Sequence, residues 1–114
     1  MNNCIFCRIA KKEIPSAILY EDEAILAFQD INPQAPYHTI LIPKTHLEKV
    51  SDITEGNSSL IGKLVLVGNH LAKKEGFSDK GYRFVINCNR DGGQTVYHLH
   101  LHLLGGRSFR WPPG

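Results

Sequence analysis

The segment His98-Leu99-His100-Leu101-His102 is the densest run of chemistry-bearing side chains in the chain. A β-strand alternates its side chains between two faces with a period of two. As a strand, this segment puts three imidazoles in a row on one face, with alternate Cβ atoms about 7 Å apart. Leu99, Leu101 and Leu103 then share the other face and suit a core. Three imidazoles in a row serve no packing purpose, so an idle, solvent-exposed histidine face is the weaker reading. Imidazole titrates near neutrality and can ligate a metal or act as nucleophile, acid or base. The strand alone leaves metal binding and acid–base or nucleophilic chemistry both open.

Two other groups of residues bear on the choice. Asp91-Gly92-Gly93-Gln94-Thr95 precedes the strand. Glycines there let backbone approach a ligand closely, and exposed N–H groups can hold a phosphate, although a Gly-Gly pair by itself is only a turn. The chain has neither a Gly-rich Lys-Ser/Thr loop nor a Rossmann fingerprint, so any nucleotide must sit on another scaffold. Cys4-Ile5-Phe6-Cys7 is a Cys-x-x-Cys, which by itself fits zinc or redox chemistry. The redox reading wants a thioredoxin-like βαβ setting, which is missing here. Zinc needs about four Cys or His ligands. Cys88 reads as a packed or loop cysteine, and His70 as a surface or interface residue of a helix.

The elements that must position these groups fit a small frame. The chain has 114 residues, 42% of them apolar, which suits one domain over residues 1–114. Thirteen basic and eleven acidic residues give a net charge of +2. That balance, without a basic stripe, argues against nucleic acid, and the Lys11-Lys12 and Lys73-Lys74 pairs read as solvated faces. No segment approaches the ~20 apolar residues of a membrane span. The first 14 residues carry Arg8, Lys11 and Lys12 and no apolar run of signal-peptide type. The expectation is a cytoplasmic protein with reduced thiols, so three cysteines are not a disulfide framework.

Cys4 to Lys12 predicts a short helix. Ala17–Tyr20 and Ala24–Phe28 predict a hairpin turning at Glu21-Asp22-Glu23. Pro33 and Pro36 mark a loop, and His38–Ile42 a third strand ended by Pro43. Leu60, Ile61, Leu64, Val67 and Leu71 fall at helical spacing, with Asn57 or Ser58 as cap and Gly76 as stop. Gly62 and Gly68 in that helix suit close approach by another element. Tyr82–Ile86 and Val96–Leu104 predict the last two strands, on either side of an Asp91-Gly92-Gly93 turn. The order β-β-β-α-β-β predicts an α+β fold: a five-stranded, mostly antiparallel sheet with one long and one short helix. A helix on one face would leave the other face open for a site.

His98-Leu99-His100-Leu101-His102-Leu103-Leu104 resembles the histidine triad (HIT) signature. Phe28-Gln29-Asp30-Ile31, Pro36-Tyr37-His38, Ile42-Pro43-Lys44-Thr45-His46, Gly92-Gly93-Gln94-Thr95-Val96-Tyr97 and Trp111-Pro112-Pro113-Gly114 are similar to segments of its Hint branch, the purine nucleoside phosphoramidase-like proteins. The order and spacing match over nearly the whole chain. The closing Trp-Pro-Pro-Gly resembles Hint rather than the diadenosine-polyphosphate hydrolase branch.

The resemblance implies a HIT-like fold and a set of roles. His100 would be the nucleophile toward the α-phosphorus of a purine nucleoside 5′-phosphoramidate, cleaving its P–N (or acyl-phosphate) bond through a nucleotidyl-histidine and releasing the nucleoside monophosphate. The carbonyl of His98 would orient His100. His102, with backbone N–H groups near Gly93, Gln94 and Thr95, would meet the phosphate oxygens, and Asn87 would add a side-chain contact. His38 would support the triad. Asp30 would accept the ribose hydroxyls, although Asp before Asn32-Pro33 is as good a turn residue. Phe28 and Ile31 would line the base pocket. Thr95 stands where many Hint proteins have Ser, keeping the hydroxyl that contacts the leaving nitrogen. Cys4, Cys7, His46 and His98 would hold a structural Zn²⁺, with no cofactor needed for the chemistry. Relatives of this kind are two-fold dimers, so the long helix and Tyr82–Ile86 would meet a second copy, and the tail would bring Trp111 near the partner's site. Two rival classes are a zinc hydrolase with triad histidines as ligands and a non-catalytic nucleotide-binding module.

Overall fold

Five strand-forming runs join into one antiparallel sheet in the computed structural model, which describes residues 3–114. Residues 1 and 2, which the signal-peptide expectation includes, lie outside the described residues. The strands are β1 (Ile18–Glu21), β2 (Ile25–Gln29), β3 (Tyr37–Pro43), β4 (Tyr82–Val85) and β5 (Leu101–Gly105), in the order β1-β2-β3-β5-β4. The first hairpin closes on Asp22, whose Oδ1 accepts the N–H groups of Ala24 and Ile25, each at 2.8 Å. The last strand inserts between β3 and β4. Ile40 pairs with both Phe28 and His102, which puts His102 in the middle of the sheet.

Register assigns the faces. Ile25, Ala27, Leu41, Leu101 and Leu103 face helix α2 (Ser59–Lys74), whose Leu64, Val67, Leu71 and Ala72 are buried against them. Burying each such leucine is worth about 1.5–3 kcal/mol. A Cβ on Gly68 would lie 2.5 Å from the Phe84 ring, so this glycine lets β4 press directly onto the helix. The close approach expected at the helix glycines is thus met within the chain at Gly68, while nothing lies within 4 Å of a Cβ on Gly62. Ser58 holds the N-cap position as expected, but neither predicted side chain caps the helix. Ser58 makes no capping bond, and Asn57 Oδ1 instead accepts the Thr54 N–H at 2.7 Å. Gly76, at φ +85°, ends the helix region as expected.

The opposite face is partly covered and keeps a cleft beside the cover. Helix α1 (Ile5–Ala10) lies across it and packs Phe6 and Ile9 onto Leu26, Phe28, Ile40 and Ile42. Its N-cap is Cys4, whose Sγ accepts the Cys7 N–H at 3.3 Å.

Two further corrections concern the segment before the site. The last strand begins at Leu101 rather than Val96, so residues 96–100 lie outside the sheet ladder. Leu99 donates its N–H to Leu47 O at 2.6 Å, outside the ladder, and the His98 ring faces the cysteines. The predicted Asp91-Gly92-Gly93 turn is the end of a short helix α3 (Asn89–Gly92), closed by Gly93 at φ +81°. The described residues therefore form one long and two short helices, with a 3₁₀ turn at Val50–Asp52. Among the described residues, no helix is long and apolar enough to cross a membrane.

Candidate active site and metal cluster

His100 is 5% exposed, and its Nδ1–H donates to the backbone oxygen of His98 at 2.7 Å. A donor on Nδ1 leaves Nε2 as a lone pair in the neutral ring. The Phe6 ring stands edge-on to His100 at 5.1 Å between centroids. Burial holds the His100 pKa below its ordinary value, against the hydrogen bond to His98 and the charge of Asp30. The ring is accordingly uncharged near neutral pH, as a nucleophilic nitrogen must be.

His102 lies 5.0 Å from His100 between ring centroids. Its tautomer follows from a chain of bonds. The Gln34 N–H donates to His38 Nδ1 at 3.0 Å, so the proton of neutral His38 resides on Nε2. That Nε2 is 2.9 Å from His102 Nδ1 and 3.3 Å from Asp30 Oδ2. His102 thus accepts on Nδ1 and carries its own proton on Nε2, available to an oxygen beside it. Burial, then the neighbouring His100 and His38, push the His102 pKa down to about 4, with Asp30 opposing. The histidine is a neutral donor at pH 7.

Beside these rings is a cleft of about 310 Å³, the scale of a small-molecule site. Phe28, Asp30, Ile31, Thr95, His100 and His102 all line it. Ile31 stands 98% exposed at the rim. Asp30 serves both readings of its position: Oδ1 accepts the Asn32 N–H at 2.8 Å, as a turn residue does, while Oδ2 faces His38. His38 sits behind His102, and His98 behind His100. Asn87, Gly93 and Gln94 do not line the cleft. Gln94 is buried, and its amide is occupied: Nε2 donates to Glu48 O at 2.8 Å and Val96 O at 3.0 Å, and Oε1 accepts the Asn89 N–H at 3.0 Å. Together with the Leu99–Leu47 bond, it staples the loop after His46 to the segment leading into His98.

Cys4, Cys7, His46 and His98 bring one donor atom each to within 4.8 Å of one another. Cys4 Sγ and Cys7 Sγ lie 3.2 and 3.4 Å from His98 Nδ1, Cys7 Sγ 3.3 Å from His46 Nδ1, and the two Nδ1 atoms 3.1 Å apart. A tetrahedral zinc with bonds of about 2.0–2.3 Å sets neighbouring donors about 3.3–3.8 Å apart. The observed spacings are close to that. His98 Nε2 is 2.8 Å from Pro43 O and must donate there, which leaves Nδ1 as a lone pair aimed at the other three donors. The chemistry of this donor set fits a closed structural zinc.

A second cluster, Asp30, His38 and His102, is superficially similar. It does not suit a cation. His38 would have to offer Nε2 as a lone pair and move its proton to Nδ1, against the Gln34 N–H. The bonds favour proton sharing there.

Sequence reasoning missed Phe6, the Gln34 N–H and the Pro43 carbonyl. Phe6 lies inside the Cys-x-x-Cys, but nothing in that motif says its ring covers His100. The other two are backbone groups, which carry no residue signature. Every buried side-chain polar atom among the described residues has a partner.

Comparison with known proteins agrees with the geometry. The HIT domain matches residues 11–109. An uncharacterized HIT-like protein of Synechocystis is 52% identical over 110 residues, 96% of each chain. The crystal structure of a HIT family hydrolase from Legionella pneumophila superposes with a TM-score of 0.96 at 52% identity, covering 98% of this chain and 100% of that one. A Zn-bound histidine triad family protein from Mycobacterium smegmatis gives a TM-score of 0.80 at 32% identity, over 98% of this chain and 84% of that one.

Proposed function

The chain belongs to the HIT domain family, and on that premise we propose that it is a nucleotide hydrolase of the Hint type, cleaving purine nucleoside 5′-phosphoramidates. The observation that carries this reading is His100, buried beside an apolar cleft with Nδ1–H bound to the His98 carbonyl and Nε2 free. The base would lie against Phe28 and Ile31 and the ribose hydroxyls on Asp30. His100 Nε2 attacks the α-phosphorus, the P–N bond breaks, and the leaving nitrogen takes a proton from water and departs beside Thr95 as the amine. Water then attacks phosphorus, the P–N bond to His100 breaks, and the nucleoside monophosphate leaves. The His98 carbonyl holds the developing imidazolium. The His102 Nε2–H and backbone N–H groups of residues 93–95 meet the phosphoryl oxygens. In this reading Gln94 holds that backbone in place, and Asn87 adds a contact from the loop after β4. An acyl-phosphate bond at the same phosphorus would be cleaved in the same way.

Cys4, Cys7, His46 and His98 would hold Zn²⁺, which supplies rigidity and takes no part in the displacement. The relative whose structure is described as Zn-bound supports this assignment. We further propose that the 114 residues act as a single domain, in the cytoplasm, as a homodimer. Trp111 is 82% exposed, as expected of a ring that meets a second copy near its site. The test is turnover of a fluorogenic adenosine phosphoramidate. His100→Ala should remove turnover while AMP binding persists by calorimetry. Turnover retained in that variant refutes the role of His100. Complete loss on chelation favours a zinc hydrolase, and AMP binding without turnover in the wild type favours a binding module.

A further inference from the structure

Cys4 caps helix α1 and Cys7 is its third residue, with the Cys7 N–H on Cys4 Sγ at 3.3 Å. Their sulfurs lie within 4.8 Å of one another. Burial holds the Cys4 thiol above its ordinary pKa, so the nearness of the second sulfur and access from solvent, not an acidic thiol, favour its oxidation. An open cleft of about 430 Å³, lined by Asn3, Cys4, Ile5, His46, Thr95 and neighbouring residues, reaches Cys4 from solvent. Cys7 is buried behind it. His98 joins this pair to the nucleophile. Its ring faces both sulfurs, and its carbonyl accepts the His100 Nδ1–H at 2.7 Å.

We propose that Cys4 and Cys7 form a peroxide-sensitive pair whose oxidation to a disulfide removes two of the three ligands that join His98 around the metal and so loosens the carbonyl that orients His100. The oxidant is a hydroperoxide. The Cys4 thiolate attacks the O–O bond, forming a sulfenic acid and releasing hydroxide, which takes a proton to become water. The Cys7 thiolate then attacks Cys4 Sγ, the S–O bond breaks, and a second water leaves. Two thiols are oxidised by two electrons in all, and one hydrogen peroxide is reduced to two waters. Cys4 reacts first because the cleft reaches it, and Cys7 resolves because it lies behind. The activity arm of this inference rests on the proposed role of His100, whereas the thiol, metal and resonance arms do not.

The experiment uses the full chain carrying Cys88→Ser, which leaves only the pair, loaded with one equivalent of Zn²⁺ and titrated with hydrogen peroxide. The expected results are loss of two thiols, a mass lower by two hydrogens, and release of one Zn²⁺ per chain to a chromogenic chelator. The His100 Nδ1–H resonance should shift or exchange faster, and phosphoramidate turnover should fall by about 10- to 100-fold, the cost of a misplaced reacting group. Dithiothreitol with Zn²⁺ should restore all of them. Failure to take up Zn²⁺, thiols that survive peroxide, or a disulfide that leaves the His100 resonance unchanged would each overturn the proposal. A reduced chain with no turnover refutes the activity reading alone, and the thiol, metal and resonance results then decide this one.

Discussion

Replacing Gln94 with Met keeps an unbranched side chain of similar length and removes three buried hydrogen bonds at once. Those bonds run to Glu48 O at 2.8 Å, Val96 O at 3.0 Å and from the Asn89 N–H at 3.0 Å. Each is worth about 1 kcal/mol net, and more where the abandoned partner stays dry. The side chain is 8% exposed, so water does not readily replace it. The sum is about 3 kcal/mol, or about 12 °C in Tm for a chain of this size. Urea unfolding followed by circular dichroism reads this as a lower midpoint with an unchanged slope. Turnover should fall as well, because the staple joins the loop after His46 to the segment entering His98. A loss below about 1 kcal/mol with an unchanged slope would refute the reasoning, since the three partners would then be satisfied without Gln94.

Three other outcomes follow from the same geometry. His38→Phe removes the donor to His102 Nδ1 and frees that histidine's tautomer; kcat should fall by about 10- to 100-fold with little change in AMP affinity, read by steady-state kinetics and calorimetry. His102 is held at a pKa of about 4 against about 6.5 when unfolded. The unfolded chain therefore binds the extra proton between those values, and stability falls as pH drops below about 6.5. From His102 alone the loss is about 2 kcal/mol by pH 5 and about 3 kcal/mol by pH 4, checked by urea midpoints across that range. His100 and His38 are shifted in the same direction and add to the loss. Gly105→Ala would place a Cβ 2.3 Å from the Phe77 ring, which is itself stacked on Tyr37 at 4.6 Å, and should cost about 1–3 kcal/mol by thermal melting.

Much of the frame was legible because side-chain period reports burial. Leu64, Val67 and Leu71 lie where helical spacing put them, and Leu101 and Leu103 face the core as alternation requires. Pro33, Pro36 and Gly76 marked real boundaries, since each limits backbone geometry locally. What failed depended on distant partners. The last strand starts late because a loop carbonyl takes the Leu99 N–H outside the ladder, although the His98 and His100 rings both still face Phe6. Nothing near Asn57 or Ser58 announces that the Asn57 side chain bonds backward to Thr54. The order of β3, β5 and β4 is set by pairing across the whole chain. In the site, His100, His102, Asp30 and the Cys4–Cys7–His46–His98 set could be named from residue type and resemblance. The tautomers could not, because the Gln34 N–H and the carbonyls of Pro43 and His98 fix them.

The central claim is that His100 carries the nucleotidyl group, and rapid acid-free quenching of the enzyme during turnover of an adenosine phosphoramidate tests it most directly. Intact-mass and peptide mass spectrometry should show one adenylyl group, mapped to His100, that disappears as substrate is exhausted. Steady turnover with no adduct, or an adduct on another residue, would contradict the account.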